Sequence, residues 1–495
     1  MSVTSQAQDE DVEGLDTSDP VRWRILAVLL IAIFMSLVGV SIVNVALPSI
    51  QNGLGASQSD AQWVLSGYAL TFGIVLVAAG RAGDLWGRGG IFILGVAVFT
   101  LSSVAAGLAP NAEALNAARF MQGVGSGMLN PQGVGMIQQY FRGAARGRAF
   151  GYFGSVVGIA VGIGPVLGGL LIGVGGPDFG WRLTFLVNVP IGIACIVLAL
   201  WWFPRPLFTR LPKASGETKG SRSMDPVGAV LLGLAVLAIL LPFVESGVSV
   251  YVWLLLPAGL ALIYGWVRWE RRYARTGRSP MVDLSIFSTR SFTNGSIIVT
   301  LYFMGMTSIW VLVALYMQDG VGQSALAAGL VGVPAALISA VAANWAGKRV
   351  TIYGRKVVIG GLLFALAGLG LSIAVVLFHE SGHLSEWWLV LSLSFIGVAQ
   401  GSVISPNQTL TLAEVPIAYA GSSGAIMQTG QRIGTSIGIA VITAAVFATL
   451  DVSTWAVAVT VGFALVAVVV LCALGVAIKD QRDRVTAAQA GDVPG

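Results

Sequence analysis

The sequence has few charged residues. They make up 10% of its 495 residues, whereas 56% are hydrophobic and the mean hydropathy is +0.82. Soluble domains carry about 25% charged residues, so this composition excludes an ordinary soluble protein and indicates a polytopic membrane protein. The net charge of +5 comes from short basic clusters between apolar runs, a pattern that argues against nucleic-acid binding.

Cysteine and histidine are scarce, with two of each. Cys195 and Cys472 lie inside apolar runs and are expected to pack as small hydrophobes without forming a disulfide. Both histidines belong to His379-Glu380-Ser-Gly-His383, which matches the H-E-x-x-H pattern of zinc proteases. This motif falls in a short loop between two apolar runs. A membrane zinc protease is therefore only a remote alternative, and we expect neither enzymatic activity nor a metal site.

Apolar runs dominate the rest of the chain, and we predict fourteen membrane-spanning helices. The first is too long for the core of a signal peptide. The runs lie near residues 25–47, 62–80, 91–109, 115–136, 150–174, 183–203, 227–244, 252–268, 293–317, 326–346, 357–378, 388–410, 424–448 and 455–478.

The basic residues test this topology. If both termini are cytoplasmic, 25 of the 28 Lys and Arg fall in cytoplasmic segments, and only Arg119, Arg182 and Arg432 lie elsewhere. Such a bias is typical of multi-pass proteins of the cytoplasmic membrane. It predicts a cytoplasmic location for both termini.

An internal repeat divides the chain into two similar halves. The turn from Gly80 to Arg88 after the second run is matched by the turn from Gly347 to Arg355 after the tenth. Two related six-helix halves imply alternating access to a central site. The predicted parts are a disordered cytosolic tail (1–22), a first bundle (23–203), a linker with two additional transmembrane helices (204–292), a second bundle (293–478) and a cytosolic C-terminal tail (479–495).

Glycines mark the fifth run. Gly154, Gly158 and Gly162 recur every four residues, so on a helix they form a stripe that lets another helix approach to backbone distance. Gly164-Pro165 follows and is expected to break the helical hydrogen-bond ladder. We predict that this helix forms a moving contact between the two bundles, through the residues Gly154, Gly158, Gly162, Gly164, Pro165, Gly168 and Gly169.

Four local patterns together resemble one transporter family. They are the loop 80–90 with its Gly-x-x-x-Asp-x-x-Gly-Arg pattern, the segment 115–125 around Arg119, the glycine-rich stretch 154–169 and the segment 181–190. The chain is identified as a member of the major facilitator superfamily, and it resembles the fourteen-helix drug:proton antiporter branch over almost its whole length.

The resemblance implies an all-α polytopic protein of two six-helix bundles plus two extra transmembrane helices. It further implies secondary active export of lipophilic small molecules, such as drugs, antibiotics or related metabolites, in exchange for protons. The implied partners are the small-molecule substrate and the lipid bilayer, without nucleic acid. The proton would be the coupling ion, no cofactor would be needed, and the chain would work as a monomer.

The resemblance also implies roles for charged residues. A carboxylate at a glycine turn can cap a neighbouring helix or pair with Arg, which would close a cytoplasmic gate. The gate residues are Gly80, Asp84, Gly87, Arg88, Gly354 and Arg355. The second turn has Thr351 where the first has its acid, so we expect the gate to be asymmetric. Coupling is assigned to Asp84, Arg119 and Arg432, because an Arg within a membrane span faces the bundle interior or water.

The first run departs from the family pattern, with Gly39 where an Asp is usual. No Asp or Glu lies well inside any run. The coupling acid would then be Asp84 or Glu245. The alternative is an exporter or facilitator of one specific metabolite or lipid-like compound, with weak or no proton coupling. The expected cavity suits a neutral or anionic amphiphile, with Arg119 and Arg432 as fixed positive charges. Its expected lining is Phe34, Asn44, Tyr68, Gln122, Asn130, Gln132, Asn188, Tyr302, Trp310, Gln400, Asn407 and Gln428.

Overall fold

The computed structural model describes residues 20–208, 224–244 and 250–489. Within these ranges the chain forms fourteen long α-helices and no strand. The helices are α1 Val21–Leu54, α2 Gln58–Trp86, α3 Arg88–Gly107, α4 Ala112–Tyr140, α5 Gly143–Leu186, α6 Asn188–Trp202, α7 Pro226–Val244, α8 Leu255–Arg275, α9 Arg290–Leu315, α10 Ala325–Tyr353, α11 Arg355–Glu380, α12 Leu389–Thr411, α13 Ala420–Leu450 and α14 Trp455–Gln489.

Thirteen helical segments of the described chain are long and apolar enough to cross a membrane. The segment that falls outside this set is α4, which contains Arg119, Gln122, Asn130 and Gln132 as well as several glycines. It nevertheless packs tightly against α2 and α3. These four polar side chains are buried in the protein, as expected for polar residues within a membrane span.

Two bundles account for twelve of the helices. Helices α1–α6 pack on one another, and α9–α14 form a second bundle. The additional helices α7 and α8 pack together, and α7 also contacts α2 of the first bundle and α13 of the second. This arrangement confirms the predicted fold class of two six-helix bundles with two extra helices.

Three of the helices begin at a side-chain cap that is typical of helix N-termini. Ser57 and Asp60 form a capping box at the start of α2, after Gly55 ends α1 in the left-handed conformation (φ 60°). Asn111 and Ser324 accept backbone hydrogen bonds at the starts of α4 and α10. These side chains satisfy N–H groups that the first helical turn leaves free.

The α5 backbone stays helical at Gly164-Pro165, where we expected an interruption of the hydrogen-bond ladder. Gly164-Pro165 lies within a continuous helical stretch, and the non-helical residue is Gly176 (φ 71°), which separates two spans. Pro165 lacks the N–H that would donate to the carbonyl of Val161. One residue earlier, Ser41 Oγ of α1 donates to the carbonyl of Ala160 at 3.2 Å, so a neighbouring helix supplies a donor at this point.

Candidate transport site

The first half of α5 lies directly against α10 of the other bundle. A Cβ atom placed on Gly147 would come within 2.4 Å of the carbonyl oxygen of Gly347. Further along the same contact, a Cβ on Gly158 would lie 3.1 Å from the carbonyl oxygen of Ala336, and one on Gly162 would lie 2.5 Å from the Cβ of Ala336. The glycine stripe therefore brings the two backbones into direct contact across the seam between the bundles.

The later glycines of α5 have other neighbours. A Cβ on Gly164 would meet Oγ of Ser41, and one on Gly168 would lie 3.1 Å from the carbonyl oxygen of Ile42, so both glycines face α1 within the first bundle. Gly169 has no heavy atom within 4 Å of its would-be Cβ. Only the earlier part of the predicted stripe thus forms the seam with α10.

Asp84 joins the two bundles at the face where α2 ends. Its Oδ1 accepts a hydrogen bond from Gly421 N at 2.9 Å, and its Oδ2 accepts from Ser422 N at 2.9 Å and from Ser422 Oγ at 3.0 Å. A carboxylate in the first turn of α13 is favoured by the free N–H groups and by the helix dipole. We call this contact the Asp84 cap. We call the membrane face on which it lies, at the end of α2 and the start of α13, the basic face.

Arg88 completes the cap. Its Nη2 donates to Asp84 Oδ1 at 2.7 Å and to the carbonyl of Ile417, before α13, at 2.6 Å. Its Nη1 donates to Gln139 Oε1 of α4 at 2.7 Å. Asp84 and Arg88 are both buried, so removing either partner leaves the other charge without its main contact.

The matching turn of the second half makes a different contact. Arg355 Nε donates to Asp480 Oδ2 of α14 at 2.6 Å, and Nη1 donates to Asn407 Oδ1 of α12 at 2.5 Å. Helices α11, α12 and α14 all belong to the second bundle. This ion pair therefore stays within one bundle, whereas the Asp84 cap crosses between the two. Gly354, with φ 53°, forms the turn before Arg355.

Gln138 also links the bundles, and sequence reasoning missed it. Its Nε2 donates to the carbonyls of Leu412 and Val415, at 3.0 and 2.9 Å, in the connection between α12 and α13. No local motif marks this residue, because a Gln near a helix end is common. Together with the Asp84 cap, it links the two bundles on the basic face.

A cavity of about 340 Å³ lies between the two bundles. Residues of α1, α4, α5, α9, α12 and α13 line it, and six of them were expected there, namely Asn44, Asn130, Tyr302, Trp310, Gln400 and Gln428. Other polar lining residues were not expected: Ser41, Thr307, Gln408, Gln431 and Thr435. None of the described residues that line it is an Asp or a Glu.

The remaining residues expected in the cavity lie outside its lining. Four are bound within their own bundle. Tyr68 donates to Ser126 Oγ at 2.7 Å, Gln122 to Ser103 Oγ at 2.7 Å, and Asn407 to the carbonyl of Gly295 at 2.9 Å. Gln132 Nε2 donates to the carbonyl of Ala79 at 2.7 Å. Phe34 packs on an apolar cluster, and Asn188 is buried without a hydrogen-bond partner in the described part of the protein. Interhelical hydrogen bonding explains most of these placements.

The two arginines inside the membrane differ in their surroundings. Arg119 is buried, donates to the carbonyl of Val64 at 2.7 Å and to Gln122 Oε1 at 2.6 Å, and stacks 4.4 Å from the ring centre of Tyr68. Arg432 lines the cavity and stacks 4.4 Å from the ring centre of Phe72. Only Arg432 is therefore in a position to contact a molecule in the cavity.

The histidine motif lies at the end of α11 and in the turn that follows it. Helix α11 ends at Glu380, so His379 and His383 do not lie on one helical face. His379 Nδ1 is 3.0 Å from the carbonyl oxygen of Leu384, and His383 Nδ1 is 2.9 Å from Ser381 Oγ. No group of three His, Cys, Asp or Glu side chains that could hold a metal occurs in the described ranges. Glu245, one of the two expected coupling acids, lies outside the described residues.

The chain forms two similar bundles with a cavity between them. Comparison with known protein families identifies the family to which it belongs. Residues 29–439 match the family model described as Major Facilitator Superfamily. The chain belongs to the Major Facilitator Superfamily. It is a multi-pass transporter of the plasma membrane, and it is not an enzyme.

Relatives within this superfamily include transporters of antibiotics. A probable actinorhodin transporter of Streptomyces coelicolor is 33% identical over 425 residues, which cover 85% of this chain and 72% of that protein. A puromycin resistance protein of Streptomyces alboniger is 30% identical over 431 residues, which cover 86% and 82%. The human organic anion transporter MFSD10 shares the fold, with a TM-score of 0.68 at 14% identity over 93% of this chain and 100% of that one.

Proposed function

We propose that this transporter exports lipophilic small molecules across the cytoplasmic membrane by alternating access. The observation that carries this proposal is the cavity between the two bundles, bounded by a glycine seam and closed on the basic face by the Asp84 cap. The antibiotic-related relatives support an efflux role. Apolar and amide lining groups suit amphiphilic cargo of varied shape.

We infer that the basic face is cytoplasmic. The distribution of 25 of the 28 Lys and Arg supports this orientation and a cytoplasmic location for both termini. With this orientation, the Asp84 cap lies on the cytoplasmic side, and we propose that it keeps this side closed. Both halves of the transport path come from one chain, which favours a functional monomer.

We propose that transport is coupled to proton exchange and that Asp84 is the proton-binding group. Protonation would neutralise the carboxylate that holds Arg88 and the first turn of α13, and it would thereby weaken the cap. Arg119 and Arg432 would act as fixed positive charges in this scheme. The gate glycine Gly80 allows the close approach, because a Cβ on Gly80 would lie 2.6 Å from the carbonyl oxygen of Gly421. Gly87, with φ 101°, forms the turn before Arg88.

A second candidate is a facilitator or specific exporter with weak or no proton coupling. The specific observation in its favour is that no described residue lining the cavity carries a carboxylate. An antiporter that exchanges a proton directly for its cargo would need a titratable group close to that cargo.

One experiment tests the export proposal and separates the two candidates. Cells with and without the protein are screened for resistance to, and accumulation of, a panel of lipophilic compounds, and the screen is repeated with a protonophore. We expect lower accumulation in expressing cells, and we expect the protonophore to abolish the difference. Export that persists after the proton gradient has collapsed would favour the facilitator. Equal accumulation with and without the protein for every compound would contradict both candidates.

A further inference from the structure

The positive charge of Arg432 faces the cavity without a counter-ion. No hydrogen bond or ion pair joins its guanidinium to any residue in the described part of the chain, and the guanidinium stacks on the ring of Phe72. A guanidinium within a membrane span is costly unless it is hydrogen-bonded to acceptors, paired with an anion or hydrated. The cavity therefore presents an unused group of five N–H donors to whatever enters it.

Three other buried arginines have the acceptors that Arg432 lacks. Arg88 is paired with Asp84, Arg355 is paired with Asp480, and Arg119 donates to a backbone carbonyl and an amide. Each has the acceptors that stabilise a buried guanidinium. The fold thus supplies acceptors for these three arginines, and it leaves the fourth in contact with the cavity.

The rest of the cavity wall adds no negative charge. Its polar members on α12 and α13 are amides, among them Gln400, Gln428 and Gln431, and its apolar members include Phe303 and Trp310. The formal charge of the described lining is therefore that of Arg432 alone. Amides can donate to an anion, and aromatic faces can pack against a flat apolar body.

We propose that the cavity binds amphiphilic organic anions, with a carboxylate or phenolate group of the cargo on Arg432 and its apolar body against the aromatic wall. This inference rests on the proposed function, because it assumes that the cavity holds the exported molecule. It makes Arg432 the residue that determines the charge preference of the transporter.

The test uses three probes with the same pyrene ring and different head groups: 1-pyrenebutyrate, 1-pyrenebutanol and a pyrenebutyl trimethylammonium salt. Equilibrium binding to the purified full-length protein in detergent is followed by pyrene fluorescence. A hydrogen bond to a charged group contributes about 1.5–3 kcal/mol. We therefore expect the carboxylate to bind about 10- to 100-fold more tightly than the alcohol, and the ammonium to bind no better than the alcohol.

Variants assign this preference to one side chain. In Arg432→Gln the affinity for pyrenebutyrate should fall to about that for pyrenebutanol, whose own affinity should not change, while Arg432→Lys should keep part of the preference. The control is Arg349→Gln, which removes the same charge from an arginine that stacks on Trp345, outside the cavity lining. Size-exclusion profiles and melting temperatures establish that each variant is folded.

Two results would overturn the inference. One is a wild-type protein that binds the alcohol or the ammonium as tightly as the carboxylate. The other is an Arg432→Gln variant that is folded and keeps the full preference for the carboxylate. Failure of the proposed function gives a different result, in which pyrenebutyrate binds through Arg432 but cells with and without the protein accumulate every compound equally.

Discussion

Asp84 at the end of α2 caps the first turn of α13 through Ser422, whose backbone N–H and side-chain hydroxyl both donate to Asp84 Oδ2. This contact joins the two bundles, because α2 belongs to the first and α13 to the second. Under the alternating-access mechanism proposed above, this contact must break for the basic face to open. We therefore expect the strength of the cap to influence the balance between the two proposed orientations of the cavity.

Replacing Asp84 should shift this balance toward an open basic face. In Asp84→Asn the buried Arg88 loses its ion pair, and loss of one partner of a buried pair costs about 3 kcal/mol. The probe is a cysteine in place of buried Val134, which lies against Gly424 of α13, in a background where Cys195 and Cys472 are replaced by Ala. We expect alkylation of this cysteine to be at least about tenfold faster in Asp84→Asn.

Ser422→Ala is the matched control for the cap, because it removes one hydroxyl and leaves both backbone donors to Asp84 in place. Its effect on alkylation should be much smaller, in line with the contribution of about 1 kcal/mol from a single hydrogen bond. Equal alkylation rates in the wild type and in Asp84→Asn would show that Asp84 does not hold the basic face closed.

The glycine seam should not tolerate a large side chain. In Gly158→Leu the new atoms would meet the carbonyl of Ala336 and the hydroxyl of Ser339, both 3.1 Å from the would-be Cβ. Because the two backbones touch at this point, the side chain must force α5 and α10 apart. We expect the export rate to fall at least about tenfold while the protein still reaches the membrane.

Gly169→Leu provides the comparison on the same helix. No atom lies within 4 Å of its would-be Cβ, so the same substitution should leave the export rate within about twofold of the wild type. Export is measured as efflux of a compound identified in the accumulation screen. A Gly158→Leu protein that transports at the wild-type rate would remove the α5–α10 contact from the transport cycle.

Arg119 should be required for transport but not for binding of an anion. Arg119→Ala leaves Gln122 Oε1 without its donor. Arg119→Lys lacks the planar guanidinium that donates to two acceptors and stacks on Tyr68. We expect both variants to lose export while they remain in the membrane. Both should still bind pyrenebutyrate, because Arg119 does not line the cavity. Full export by Arg119→Ala would show that this residue has no role in coupling.

Two buried carboxylates, Asp225 and Glu270, lie close together at the additional helices. We expect the Gln and Ala substitutions of Glu270 to have different effects on stability. Asp225 caps α7 by accepting from Gly228 N at 2.9 Å, and Glu270 of α8 accepts from Met281 N at 3.0 Å. A Cβ on Gly228 would lie 2.6 Å from an oxygen of each carboxylate, so the two acids are close neighbours. Glu270→Gln keeps an acceptor for Met281 and places an N–H₂ group beside Asp225.

The melting temperature should therefore stay the same or rise in Glu270→Gln. Glu270→Ala leaves the buried N–H of Met281 unsatisfied, at a cost of about 1–3 kcal/mol, and should lower the melting temperature. A Gln variant that is as unstable as the Ala variant would show that the negative charge, and not the acceptor, is what this position needs.

Sequence reasoning predicted the helices well because a membrane span needs a long apolar run, which is a local property. The pairing of Asp84 with a helix start was foreseen as one of two options, since a carboxylate after a glycine turn can reach either an N-terminus or an Arg. The structure shows both, with Ser422 and Arg88 as partners.

The lining of the cavity was harder to predict. A buried amide in a membrane helix either lines a cavity or forms a hydrogen bond to a neighbouring helix. The sequence does not distinguish these two placements. Gln122 and Gln428 are both amides within predicted spans, yet Gln122 bonds Ser103 and Gln428 lines the cavity. The ion pair of Arg355 with Asp480 was missed for a similar reason, because the two residues are 125 positions apart.

Helix α7 packs on both bundles, since it contacts α2 and α13. If the bundles tilt relative to each other, as the proposed mechanism requires, α7 cannot keep both of these interfaces unchanged. The free-energy difference between the two proposed orientations would then include a contribution from a helix that does not line the cavity. We expect substitutions on its surface to alter turnover while leaving selectivity unchanged.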